Sequence, residues 1–282
     1  MRTLAADRRA AACAATAAAP RDRRDTESYR CLAPRARVGL YRSWTASMDE
    51  GWTRWVLDDF RFPYASLGDS AVKAGNLRAR YDVIVVPDLS LRELREGLSA
   101  AQAPPPYAGG LGEAGIAELK RFAEAGGRLV LVDGATELAP AALGVDVRLV
   151  TTGPARADTS AAGRAAGEPL FAPGSILRVE ADTTHFVGAG MPGDAAVYFI
   201  NSTAFELPAG SPARAIARYP ARGDDILLSG FLQGAARLAG RAAVVEAPVG
   251  RGTVVLFGFR PLYRAQSVGT FRMFFNALLG PA

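Results

Sequence analysis

Short apolar runs alternate with longer amphipathic or polar stretches over the first half of the chain. Val38-Gly39-Leu40-Tyr41 is the first run, and it ends in Arg42-Ser43-Trp44. Asp49-Glu50 then open a helix to about Phe60, with the acidic pair where the positive end of the helix dipole favours it. Trp52, Trp55, Val56 and Asp59 recur at spacings of three and four, which puts both tryptophans on one face, with Trp55 expected in the core. Residues 62–67 read as a second strand and 70–74 as a short helical turn. Residues 81–86 form a continuous apolar run followed by Pro87-Asp88, the pattern of a strand buried on both faces.

A Pro- and Gly-rich loop over 104–110 precedes a helix expected at 112–125. Gly126-Gly127 ends that helix, since Gly adopts the left-handed conformation that follows a last turn. Residues 128–133 are the next buried strand, turning at Gly134 into a helix through Leu138. Beyond Gly144 the pattern changes. Residues 151–173 are polar, aperiodic and rich in Ala and Gly, as in a long loop. Short strands expected at 176–180, 196–200, 213–219, 226–229 and 242–248 point to an antiparallel extension on the sheet edge. Gly250-Arg251-Gly252 reads as a hairpin turn into a strand at 253–259. A helix at 267–279 closes the pattern, with Phe271, Phe274, Phe275 and Leu278 on its buried face. The expected fold class is α/β, a mainly parallel sheet with helices on both faces and an antiparallel extension.

Composition alters this picture in the first 35 residues. Residues 1–37 carry nine Arg against four acidic side chains, which is the whole of the net charge of +5, so the rest of the chain is neutral. A neutral body without a basic stripe interleaved with aromatics gives no footprint for nucleic acid. Residues 10–20 are almost all Ala and residues 21–30 are charged without a periodic face. Residues 1–35 therefore read as a disordered leader, and one domain is expected over 36–282, with an insertion around 151–175. The Arg8-Arg9 pair before the Ala run leaves open an exported precursor, in which case the protein is periplasmic or extracellular; otherwise it is cytoplasmic. No run of about 18 apolar residues occurs, so no transmembrane helix is expected. The two Cys, Cys13 and Cys31, both fall in the leader, and His185 is the only His of the 282 residues.

Four segments carry a resemblance. They are Gly39-Leu40-Tyr41-Arg42-Ser43-Trp44 with Asp49-Glu50-Gly51-Trp52-Thr53-Arg54-Trp55, residues 74–88, residues 173–179 and residues 250–261. Together they resemble the region that follows the catalytic domain in bacterial zinc carboxypeptidases of the carboxypeptidase A type. The resemblance implies a class I glutamine amidotransferase-like fold, a flavodoxin-like sheet without amidotransferase chemistry. The departures are decisive for activity. Zinc in that family needs two His and a Glu, and His185 is followed by Phe186-Val187-Gly188. An amidotransferase needs a Cys at a strand-to-helix elbow, activated by a downstream His. The matching elbow, Val132-Asp133-Gly134-Ala135, has no Cys. No catalytic residue, metal ligand or cofactor is therefore expected.

In an open α/β sheet ligands bind beyond the carboxyl ends of the strands. Those ends present Arg42, Trp44, Asp88, Asp133 and Arg260, which are the ligand-binding candidates. Asp88 and Asp133 are candidates for a carboxylate pair, while the simpler expectation is that each caps the turn after it. Either Arg42 or Arg260 can pair with one of them. His185 is expected to be a turn residue bonded to backbone. The leading expectation is a non-catalytic accessory or interaction domain, with a carboxypeptidase catalytic domain or a second copy as partner. The alternative is a small-molecule or glycan-binding hydrolase module using the carboxylates at the sheet's edge.

Two outcomes follow from the sequence. Metal analysis of the purified chain should find no stoichiometric zinc, and a carboxypeptidase assay no activity; one equivalent of zinc lost in His185→Ala would contradict this. Deleting residues 1–35 should leave the melting temperature within a few degrees of the full chain, on the order of 1 kcal/mol.

Overall fold

The computed structural model describes residues 36–151 and 169–280. The expected leader and most of the expected insertion, 152–168, lie outside the described residues. Strands β1 (Val38–Tyr41), β2 (Ala65–Leu67), β3 (Val83–Val86) and β4 (Arg128–Val132) form the first part of one mixed sheet. Strands β5 (Arg148–Thr151), β6 (Ser175–Ala181), β7 (Asp194–Phe199), β8 (Thr203–Glu206), β9 (Arg214–Arg218), β10 (Leu227–Ser229), β11 (Ala242–Val249) and β12 (Gly252–Phe257) complete it. The parallel part runs in the order β2-β1-β3-β4-β12, and β11, β9, β6 and β10 continue it as an antiparallel part. The strand β12 joins the two, parallel to β4 on one side and antiparallel to β11 on the other.

Alternation along the strands sorts side chains into two cores. Val83 and Val85 of β3 face one, and Ile84 and Val86 the other; Val255 and Phe257 of β12 face the first, Val254 and Leu256 the second. Helix α1 (Met48–Asp59) covers the first core. Helices α2 (Asp69–Lys73), α3 (Leu77–Arg80), α4 (Leu91–Glu96) and α5 (Gly112–Glu124) cover the second, and α6 (Val268–Leu279) returns to the first. Both faces of β1, β3, β4 and most of β12 are thus buried, which explains their apolar runs, while the edge strand β2 leaves Ser66 exposed. Local chemistry sets the helix starts. Ser47 accepts the Glu50 N–H at the start of α1, and Ser90 and Glu93 form a reciprocal capping box on α4. Among the described residues no helix is long and apolar enough to cross a membrane.

The structure departs from the pattern in a few places. Trp55 is exposed, because α1 turns Asp49, Thr53, Val56 and Leu57 inward instead. The expected helix after Gly134 is a 3-10 turn, Asp133–Glu137, followed by one wide turn, Ala139–Leu143. The short elements α3, α4, β5 and β8 have too few residues to show a period. Phe271, Phe274 and Leu278 are buried as expected, and Phe275 is half-buried.

Candidate functional site

The carboxyl ends of β3, β4 and β12 bring Asp88, Asp133 and Arg260 together, and the first turn of α1 adds Asp49. Arg260 contacts all three carboxylates, each through a different nitrogen. Nη1 lies 3.1 Å from Asp49 Oδ2, Nη2 lies 2.6 Å from Asp88 Oδ2, and Nε lies 3.0 Å from Asp133 Oδ2. Asp133 Oδ2 also accepts a hydrogen bond from Ser202 Oγ at 2.8 Å. The other oxygen of Asp88, Oδ1, accepts the Gly134 N–H at 2.9 Å, and Ser47 Oγ donates to the Asp88 carbonyl at 2.9 Å. The cluster therefore ties α1 to three strand ends.

The expected capping roles are corrected here. Asp133 caps nothing: its carboxylate goes to Arg260 and Ser202, because a buried carboxylate gains more from a guanidinium than from a neutral amide. The cap on the turn after β4 comes from Asp88, on the neighbouring strand. Asp133 holds φ at 49°, the left-handed region that Asp tolerates better than most residues. Gly134 is required beside it, since a Cβ there would lie 2.8 Å from Asp88 Oδ1. Of the two arginine candidates only Arg260 pairs with the carboxylates.

Three carboxylates around one cation cannot all ionise at low cost. Burial, then the neighbouring Asp88 charge, pushes the Asp133 carboxyl up to about 7 against the pull of Arg260 and Ser202. Burial raises Asp49 to about 6, with Arg260 opposing. Burial pulls the Arg260 guanidinium down, but the three carboxylates outweigh it and leave it raised. Tyr219 is fully buried, and its hydroxyl has no hydrogen-bond partner among the described residues. Burial raises that phenol, and the Asp133 charge raises it further.

Two adjoining hollows open at this edge and share Ala46, Ser47 and Leu89. One, of about 280 Å³, is lined by Asp49, Asp88, Glu93, Gly134 and Arg260. The other, of about 270 Å³, is lined by Tyr41, Arg42, Trp44, Glu50 and Pro87. They lie where strand order reverses about β1, the position at which flavodoxin-like sheets take ligands. Arg42 stacks 4.6 Å over the Trp44 ring, and Trp44 meets Tyr107 edge-on at 4.7 Å. Arg42 and Trp44 are thus in the second hollow, apart from the acidic cluster. Asp133 lies beneath Arg260 and does not line either hollow.

His185 accepts the Val187 N–H on Nδ1 at 3.2 Å, the expected backbone bond of a turn. Its Nε2 lies 2.8 Å from Glu246 of β11. Glu246 acts electrostatically on Arg128, at the amino end of β4, whereas Asp133 follows the carboxyl end.

No family model and no curated protein matches the chain. Solved structures do. A protein described as belonging to GMP synthase, from Thermoplasma acidophilum, aligns over 86% of this chain and 92% of its own at 8% identity and a TM-score of 0.50. A Salmonella typhimurium protein described as cytoplasmic aligns over 86% and 97% at 12% identity and the same TM-score. This is the class I glutamine amidotransferase-like fold. The chain spans 37% of the length of an Opitutaceae exo-β-1,4-mannosidase, at 11% identity and a TM-score of 0.47. Likenesses at such identities establish the amidotransferase-like fold alone, within the α/β flavodoxin-like class.

Arg260→Met should remove the one cation of the cluster and cost roughly 3–5 kcal/mol near pH 7.5. That corresponds to a fall in melting temperature of roughly 6–20 °C for a domain of this size. Carboxyls raised in the folded state favour the protonated form, so their penalty is absent at low pH and grows as pH rises through about 6 to 7. The loss in Arg260→Met should therefore be smaller near pH 5 than near pH 7.5. Thermal melts of variant and wild type across that range check both statements.

Proposed function

We propose that the chain is a non-catalytic accessory domain of amidotransferase-like fold, of the kind that follows the catalytic domain in bacterial zinc carboxypeptidases. The observation that carries the proposal is the state of the elbow. In an amidotransferase this turn presents an exposed thiol with a His in reach. Here it presents Asp133, buried beneath Arg260 and bonded to Ser202, and residues 36–282 contain no Cys. The only His is taken up by Glu246 and the Val187 backbone. Exposed Leu227, Leu228 and Phe231, at and just after the edge strand β10, further favour an interaction role.

A second reading keeps one specific observation in its favour. Asp88 and Asp133 share a guanidinium, and Asp133 holds its proton to about 7, which suits acid–base work in a hydrolase module for small molecules or glycans. It is the weaker reading, because Asp133 lines no hollow.

Ammonia release from glutamine tests the elbow. Neither the wild type nor Asp133→Cys should release it, because a thiol at 133 has no His to activate it; release by either would overturn the non-catalytic reading. The partner is tested by titrating the chain with a carboxypeptidase catalytic domain in sedimentation runs. A heterocomplex is expected, and two species sedimenting independently would remove the accessory assignment.

A further inference from the structure

Helices α1 and α6 close the same core with their inward sides, yet each also exposes large apolar side chains on its outward side. On α1, Met48, Trp52, Trp55 and Asp59 follow one another at intervals of four, three and four residues. On α6, Val268, Arg272, Phe275 and Leu279 repeat the same intervals. Each set therefore forms one stripe along its helix. Trp55 is 51% exposed, Phe60 56% and Val268 65%, and Met48 and Leu279 are exposed as well. Aromatic rings bridge the two helices at one end. Phe60 lies 5.0 Å from Phe275 and 6.0 Å from Phe271, and Phe62 lies 5.6 Å from Phe275, between ring centroids. Exposed apolar surface of this extent often marks an interaction site.

Each stripe also carries one uncompensated charge, and the two are opposite in sign. Asp59 occupies the last turn of α1, where the negative end of the helix disfavours a carboxylate and no basic residue of that turn offsets it. Arg272 is exposed in the middle of α6. Neither side chain has a hydrogen bond or ion pair among the described residues.

We propose that this face joins two copies of the chain about a twofold axis. The α1 stripe of one copy lies along the α6 stripe of the other, and Asp59 pairs with the partner's Arg272. A twofold contact needs a patch complementary to itself, so that each pairing occurs twice. A surface whose two halves are both apolar and oppositely charged meets that condition; a patch of one sign does not. The exposed parts of the five side chains offer about 500 Å² of apolar area per copy, from the size of such side chains. Two copies then bury on the order of 1,000 Å², the lower end of a specific interface. The association is therefore reversible, with a dissociation constant in the micromolar range.

Sedimentation velocity on the full chain, from about 1 µM to about 200 µM, spans that range. The mass should rise with concentration from 29.6 kDa toward twice that value. Trp55→Glu combined with Val268→Glu changes only exposed positions and should remain folded and monomeric throughout. Asp59→Arg and Arg272→Asp should each weaken association about tenfold, and the two together should restore it, as expected for opposed charges at an interface. Phe231→Glu, at the other exposed apolar site, should leave association unchanged. A monomer at every concentration overturns the proposal, including one that binds only a carboxypeptidase catalytic domain. So does a dimer that survives Trp55→Glu/Val268→Glu, one that Phe231→Glu abolishes, or a charge swap that restores nothing.

Discussion

Arg260 stands just after β12 and meets carboxylates that the chain laid down as many as 211 residues earlier. The constraint it imposes is electrostatic. Asp49 and Asp133 are buried and Asp88 is mostly so, and each lies on a different segment. A guanidinium has a planar fork of donors, so it can serve several carboxylates at once where an ammonium would act as a point charge. The placement of α1 over the sheet, the left-handed Asp133 and the glycine after it all accommodate this one group. Removing any of the carboxylates changes the charge balance felt by the other two.

The same arrangement accounts for an edge rich in ionisable groups with so little of it available for chemistry. A carboxyl that titrates near neutrality normally marks a functional site. Here its perturbation comes from burial and from crowding by Asp88, and its Oδ2 already serves both Ser202 and Arg260. Asp133 thus belongs to a filled polar core, while the open space lies on either side of Ser47, one hollow reaching Asp49, Asp88 and Arg260 and the other Arg42 and Trp44.

The inner parallel strands β1, β3, β4 and β12 were legible because both their faces are buried, and an apolar run needs no long-range information to be noticed. Asp88, Asp133 and Arg260 were legible for the same reason, since each follows such a run. Asp49 was visible only as a charge suited to the helix start; that it turns inward depends on Arg260, far away in sequence. Nothing in the sequence placed Ser202 or Tyr219 beside the cluster. They come from the antiparallel part, where strands such as β8 are four residues long and register decides which side chain meets the cluster. Trp55 was misplaced because spacing shows that residues share a face but not which face is turned to the sheet. The resemblance to the carboxypeptidase-associated region led to the right fold, and the fold is as far as the structural likenesses go.

The position of β12 in the sheet has a consequence for synthesis. Among the described strands it is the last in sequence order, yet it lies between β4 and β11 and pairs with both. Until it emerges, the nascent chain holds two half-sheets, each with an unpaired edge facing the gap. Such edges are templates for wrong pairing, and contacts this distant in sequence form slowly. The tight Gly250-Arg251 turn offsets the delay, because it delivers β12 to β11 as a local hairpin as soon as both strands are free. Closure against β4 then brings Arg260 to its three carboxylates, so this long-range step also supplies the polar edge with its cation.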